Sequence, residues 1–475
     1  MEFTAVIFCG HGNALTPFSK TRATGIPKAL LPIANKPMIT YVLDWCQSAF
    51  FNKIIILSQK EEEEELGKLI ENYKFQKKKE LANTDESDVY ETPIEIFSNS
   101  CENSGEVFYK LLKDSKFKSS TDNFIALPCD LITNLPPQVI IERFRNKREE
   151  DLGIIVSYKN QLDIEDKKSK IFGKSYTIYS NEEDSSFLDL YSKEEVDQNK
   201  ILQIRMQMCQ RFPNSTLSTK LLNSGIFLGS KKIFDIIDEE HTKFNESYFE
   251  KRNFQKFIRD LARRSWKHSS LKESIGFLEV PSQATFFRVN KLQVWIEANR
   301  YFMKQQAMTK GQSHQQNNQK DKSTAHVGND STVGENTTLG EKTNIKRSVI
   351  GSNCKIGNKV KITGSLILDN TIIEDDVQLD NCIIGHDVII HSKSKLINCN
   401  VESTNEVPSG TQSKGDTLLC LSLENLEDGE SEEEFVLREG PLSDSSSEEE
   451  DTDESEDESE FEDEYTGNDD GLFDY

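Results

Sequence analysis

The chain has 475 residues, 35% hydrophobic and 29% charged, with a formal net charge of −24. That length suffices for two or three domains, and no apolar run is long enough to span a bilayer. The charge is uneven: residues 424–475 hold 25 acids against the single base Arg438, leaving 56 acids and 56 bases elsewhere, so polyanion binding by the whole chain is excluded.

The opening segment MEFTAVIFCGHGNAL has no basic leader and reads as a buried strand and turn, so no signal peptide is expected. Apolar runs at Ala5–Cys9, Lys53–Ser58, Ile94–Ser98, Phe124–Pro128, Gly153–Tyr158 and Ser224–Leu228 predict strands. Helical stretches such as Pro37–Ser48 and Pro137–Asn146 alternate with them. The alternation predicts an α/β domain over residues 1–303 with a mostly parallel, helix-covered sheet. Polar stretches at Lys60–Pro93, Asp163–Lys174 and Asn181–Ser186 read as surface insertions. Tyr248–His268 reads as one helix whose stripe Phe254, Phe257, Ile258 and Leu261 is buried. Its seven Lys and Arg residues form either a solvated face or a contact surface for an acidic partner or nucleic acid, with no base-reading motif to favour the latter. A linker is expected over 304–325, which contains the apolar-free GQSHQQNNQKDKS. Nine cysteines lie scattered without CxxC spacing, which fits a reducing compartment with thiols as small core residues.

From Val333 to Val407 aliphatic residues recur on a 17-residue grid. The series are Val333, Ile350, Ile367, Ile384, Val401; Leu339, Ile356, Ile373, Ile390, Val407; and Ile345, Ile362, Leu379, Leu396. Neither the strand period of two nor the helical period of 3.6 explains spacings of six, six and five. A triangular coil of three short strands does, with one aliphatic side chain per face entering a shared axis. Gly follows the aliphatic residue at 334, 340, 351, 357 and 385, where a Cβ would hinder the bend. A parallel β-helix of hexapeptide type is predicted over 326–410. The acidic remainder, 411–475, cannot bury enough apolar surface to fold. Two roles stand open for it: solubility, or a docking strip for a basic partner tuned by phosphorylation at Ser443, Ser445, Ser446 or Ser447.

The segment Phe8–Ile39, FCGHGNALTPFSKTRATGIPKALLPIANKPMI, is the second informative feature. A strand empties into Gly10-His11-Gly12, whose backbone can approach phosphates closely, and Pro27-Lys28 follows. With Lys36-Pro37-Met38 it resembles the signature of the sugar-nucleotide pyrophosphorylases, which join a nucleoside triphosphate to a sugar phosphate. That resemblance implies a nucleotidyltransferase-like, Rossmann-like domain followed by a left-handed β-helix. It also implies a pocket at Gly10, Gly12, Lys28 and Asp130. The family loop G-x-G-T-R-L-x-P here has Ala14 in place of the triphosphate-gripping Arg, and Cys9 in place of the preceding Gly. Asp130 matches the first metal carboxylate, but Arg288 stands where the family has the second. An arginine cannot ligate Mg²⁺, so the resemblance predicts a vestigial nucleotide pocket with no catalytic residue, no metal and no cofactor.

Among degenerate chains of this kind, PKALLPIANKPMITYVLDWC, LPCDLITNLPPQ, STKLLNSGIF and RRSWKH resemble the gamma-subunit family of eukaryotic translation initiation factor 2B, of fungal type. The resemblance implies a cytosolic, heteromeric guanine nucleotide exchange factor acting on initiation factor 2. The implied partners are an epsilon subunit as heterodimer mate, alpha, beta and delta subunits, and initiation factor 2 itself, with no membrane and no direct nucleic acid contact. The epsilon sister carries a C-terminal helical-repeat exchange domain, and no such run is expected after Val407. An active nucleotidyltransferase such as a GDP-mannose pyrophosphorylase is the alternative. A coil acyltransferase using His386 or His391 is a third class.

Overall fold

Aliphatic runs such as KIIILS and NFIALP bury both faces of their strands, which places them at the centre of a layered sheet. The computed structural model describes residues 2–82, 92–101, 103–162, 175–180, 185–239, 243–268, 272–311, 326–328 and 330–420. The expectations for Asp163–Lys174, most of the linker and the acidic tail therefore lie outside the described residues. Among those described, ten strands form one sheet. From edge to edge they run Ser215–Ser218, Ser175–Ser180, Ser186–Ser192, Ser274–Glu279, Asp151–Lys159, Leu221–Ser230, Asn123–Pro128, Phe3–Phe8, Lys53–Gln59 and Ile94–Asn99. The last four pair in parallel, and Leu221–Ser230 joins them antiparallel to a mixed half. All six predicted strands are present within a few residues of their expected limits.

Two expectations need correction. The stretch Lys60–Pro93 is no mere insertion, because Glu63–Ala82 is a helix that buries Leu66, Ile70 and Tyr73 at helical spacing. Five consecutive glutamates, Glu61 to Glu65, lead into and open this helix and mask that period in a composition reading, yet acids favour a helix N-terminus. The basic helix is two helices, Glu246–Lys251 and Phe254–Lys267. Asn253 breaks it by adopting extended backbone, its side chain accepting a hydrogen bond from the Lys256 backbone N–H. The predicted stripe is buried. Three of the arginines, however, turn into internal ion pairs: Arg259 with Glu195, Arg263 with Asp189 and Arg264 with Glu273. These three belong neither to a solvated basic face nor to a free contact surface.

The 17-residue grid is the β-helix. Its strands stack in three parallel sheets at that register, for example Ile345↔Ile362 and Ile362↔Leu379. Every grid residue from Ile345 to Val407 is buried on the axis, while Val333 and Leu339 in the first coil are half-buried. A second axial position, two residues earlier, takes small side chains, including Cys354, Cys382 and Cys399. The corner glycines do not supply the left-handed turns. Those fall two residues later, at Asn336, Lys342, Asn353, Lys359 and Asp387. Glycine is needed for close approach between coils: a Cβ on Gly334 would lie 2.5 Å from the Gly351 carbonyl carbon, and one on Gly385 2.4 Å from the Ser403 nitrogen. Strand pairing continues to Gln412–Lys414 and Thr417–Leu418, past residue 410. There Leu418 keeps the grid and Ser413 breaks it, so the apolar pattern fades before the ladder does.

One outer face of the coils is covered by the α/β part, and residues 1–420 form one compact unit. Val349, Leu366 and Ile383 alternate with the axial residues and would normally meet solvent. Here they are buried with Leu31, Ile33, Val294, Trp295 and Ala298. Trp295 lies on the helix Leu292–Gly311, which runs past the expected domain end at 303, and its Nε1 donates to the Pro32 carbonyl at 2.8 Å. Asn35, left-handed at the tip of a hairpin, donates from Nδ2 to the Ile350 carbonyl at 2.8 Å.

Candidate functional site

The parallel strands end together at one edge of the sheet, where ligands commonly bind in open α/β folds. Phe3–Phe8 delivers Cys9 and Gly10, Asn123–Pro128 delivers Cys129 and Asp130, and Lys53–Gln59 delivers His11's partner Gln59. Gly10 is exposed, and nothing stands within 4 Å of where its Cβ would be. Gly12 takes the left-handed conformation at φ 78°, with Lys28 and Ser19 pressed against its α-carbon side. Ala14 is exposed and brings no charge to the loop. Lys28 opens a short 3₁₀ turn after Pro27, and only 8% of it is exposed.

Asp130 is fully buried. Lys28 Nζ donates to its Oδ2 at 2.5 Å, Arg288 Nε donates to its Oδ1 at 2.8 Å, and Arg288 Nη2 donates to its Oδ2 at 3.1 Å. The chain brings Arg288 there by pairing Phe286–Arg288 antiparallel with Leu131–Thr133, register Arg288↔Leu131, and by the Val289 N–H donating to the Asp130 carbonyl at 2.9 Å. Gly225, at φ 72°, leaves room for the guanidinium: a Cβ there would stand 3.1 Å from Arg288 Nη1. Burial alone would raise the Asp130 carboxyl, but the Arg288 and Lys28 charges outweigh it and hold the group well below the usual carboxylate range. The nearby Tyr158 hydroxyl is pushed up to about 12, chiefly by burial.

Four of the sequence-predicted residues, Gly12, Lys28, Asp130 and Arg288, thus converge, while Gly10 and Ala14 lie on the exposed rim. The donor set does not fit Mg²⁺. Both Asp130 oxygens already accept from cations, and a permanent positive charge occupies the second carboxylate position. Among the described residues no group of three or more His, Cys, Asp or Glu side chains is arranged to hold a metal ion.

Sequence reading missed three features of this edge. Glu62 is buried beside the front loop, and its carboxyl is pushed up to about 7 by burial, against the pull of Lys20 and with the neighbouring Glu65 and Glu61 adding to it. Cys9 and Cys129 lie side by side. The loop after the glycines is also tied to the coils: Arg22 Nε donates to Glu402 Oε1 at 2.5 Å and Thr24 Oγ1 to the same oxygen at 2.6 Å, with Glu402 1% exposed. A signal for the last was present, since Glu402 occupies the corner position held by Gly334, Gly351 and Gly385. His391 bridges coils, its ring nitrogens 3.0 Å from Glu374 and 2.7 Å from Glu406. His386 is half-buried at a corner, with its backbone N–H donating to Ser403 Oγ.

A family model described as nucleotidyl transferase matches residues 4–165, and one described as EIF2B subunit epsilon LbH domain matches residues 310–410. Translation initiation factor eIF2B subunit gamma of Schizosaccharomyces pombe is 29% identical over 282 residues, which are 54% of this chain and 55% of that protein. The subunit of the same name from Dictyostelium discoideum is 24% identical over 271 residues, 52% of this chain and 55% of that protein. The chain thus spans about half the length of these curated relatives. A nucleotidyltransferase sheet, a left-handed β-helix of the eIF2B kind packed against it, and relatives of that one name lead to a single conclusion: what the chain resembles is the eIF2B gamma subunit.

Proposed function

We propose that this chain is a non-catalytic subunit of the cytosolic exchange factor that returns initiation factor 2 from its GDP form to its GTP form. It pairs with the epsilon-type catalytic sister, and the alpha, beta and delta subunits complete the assembly. The chain supports binding of initiation factor 2 and does not enter the chemistry. One observation carries the non-catalytic part of this reading: the Asp130 carboxylate is saturated by Lys28 and Arg288. Phosphoryl transfer depends on cations and metal ions placed against the phosphates. A site with Ala14 on the grip and Arg288 on the metal position lacks the front-loop cation and the second metal carboxylate, and its remaining cations, Lys28 and Arg288, are engaged by Asp130, an arrangement that suits a fold retained for binding.

An active nucleotidyltransferase is the second reading, favoured by the family match over residues 4–165. Two measurements separate the readings. Tagged full-length chain purified from its own cells is expected to bring down the four other exchange-factor subunits in comparable amounts. The purified chain with GTP, sugar phosphates and Mg²⁺ is expected to release no pyrophosphate above a blank. Release abolished by Asp130→Asn would favour the second reading.

A further inference from the structure

Cys9 and Cys129 follow directly on the paired residues Phe8 and Pro128, and the ladder continues through them, with the Cys129 N–H donating to the Phe8 carbonyl at 3.1 Å. Neighbouring strands lie about 4.8 Å apart, inside the range of about 4.4–6.8 Å between α-carbons that a disulfide spans. Parallel register sends both side chains to the same face, and both pack into the same core cluster. Cys9 is half-buried beside the exposed Gly10, whereas Cys129 is fully buried. We propose that Cys9 and Cys129 form a peroxide-oxidisable dithiol that closes to a disulfide at the mouth of the Lys28–Asp130–Arg288 cluster.

The chemistry balances without a cofactor. Hydrogen peroxide takes two electrons from the Cys9 sulfur, giving a sulfenic acid and one water. The Cys129 sulfur then attacks that sulfenic sulfur, an S–S bond forms, and the hydroxyl leaves with the Cys129 proton as a second water. The environment suits Cys129 to the attacking role. Its thiol is lowered by the hydrogen bond shared with Cys9, against burial, and further by the Lys28 charge. Cys9 is raised by the same hydrogen bond and by burial, which makes the first step the slow one.

The β-helix holds a comparison pair. Cys382 and Cys399 are also neighbours in register, next to Ile383↔Asn400, but both are completely buried among aliphatic side chains. Their thiols contact the Asp380 and Ile397 carbonyls instead. With no exposed member, this pair gives peroxide no entry. A Cys9–Cys129 bond, by contrast, would join the residue before Gly10 to the residue before Asp130 and pin the front loop to the ion cluster.

The test is peptide mapping of the native full-length chain after hydrogen peroxide, with peroxide quenched and thiols alkylated under non-reducing denaturing conditions. The expected result is the loss of two of the nine alkylatable thiols, recovered as one linked peptide pair containing Cys9 and Cys129 and returned to free thiols by dithiothreitol. In Cys9→Ser, a near-isosteric change at a half-buried position, Cys129 is expected to remain fully alkylatable at the same dose. Recovery of Cys9 and Cys129 as separate alkylated residues, at a dose that oxidises the half-buried Cys209 and Cys420, overturns the proposal. So does a link from Cys9 to any other cysteine, or loss of Cys382 and Cys399 in preference.

Discussion

Arg288 and Asp130 are 158 residues apart in sequence and meet through two hydrogen bonds, Nε to Oδ1 at 2.8 Å and Nη2 to Oδ2 at 3.1 Å. A planar guanidinium satisfies a buried carboxylate in this way without a solvent ligand. Lys28 takes the remaining capacity of Oδ2, so the cluster carries one positive charge beyond neutrality, from the two cations and one anion.

Breaking this cluster is expected to be costly. Arg288→Ala leaves Asp130 buried with Lys28 alone, and removal of one partner from a buried ion pair destabilises by about 3–5 kcal/mol. Arg288→Lys restores the charge without the fork and is expected to recover only part of that loss. Urea unfolding at neutral pH measures both, and equal stability of Arg288→Ala and the native chain would contradict the assignment.

The pH dependence has two components of opposite sign. Asp130 is depressed in the fold, so its contribution is present above the ordinary carboxylate range and lost as pH falls below it. Glu62 is raised to about 7, so its favourable contribution exists below the unfolded value and is lost as pH climbs to about 7. Above that, the buried Glu62 carboxylate costs on the order of 3 kcal/mol by linkage. Glu62→Gln is therefore expected to flatten the decline in stability between about pH 4.5 and 7, with no effect on the loss at acid pH. A decline of unchanged size in the variant would contradict this.

The coil axis should discriminate sharply between grid and off-grid positions. Ile356→Asp places an unpaired charge among aliphatic neighbours and is expected to cost more than about 4 kcal/mol, removing soluble protein. Lys355→Ala and Lys359→Ala, both at exposed sites, are expected to change stability by less than about 0.5 kcal/mol. The Lys359–Asp376 pair does not alter that expectation, because at 3.9 Å and in solvent it contributes little.

Glu402 ties the loop at residues 22–24 to the last full coil. Glu402→Ala leaves Arg22 and Thr24 without their acceptor on a loop that otherwise meets solvent. Limited trypsin digestion should then cut after Arg22 several-fold faster than in the native chain, while far-ultraviolet circular dichroism stays unchanged. An unchanged cleavage rate would show that the loop is held by other contacts, such as the Ser19–Ile26 bridge.

Period and spacing made the β-helix legible, because each coil must send three side chains to one axis and no other structure repeats at 17 residues. The predicted strands were legible as aliphatic runs long enough to be buried on both faces. What escaped was information carried by partners distant in sequence. The arginines at 259, 263 and 264 look like a solvent face until Asp189, Glu195 and Glu273 fold against them. Likewise Val349, Leu366 and Ile383 look like ordinary outward positions until Trp295 covers them. At the site, the identities of Asp130 and Arg288 implied a missing metal carboxylate. That the two residues neutralise each other depends on the pairing of Leu131–Thr133 with Phe286–Arg288, which no local pattern encodes.

The proposed role is tested most directly by release of labelled GDP from initiation factor 2 by this chain alone, by the proposed epsilon-type sister alone, and by both at matched folded concentrations. Binding energy supplied away from the reacting centre can raise a rate by holding the substrate in position. No release above background is expected with this chain alone, release is expected with the sister, and a higher rate with the pair. Substantial release by this chain alone, or identical rates for the sister with and without it, would contradict a non-catalytic, binding role.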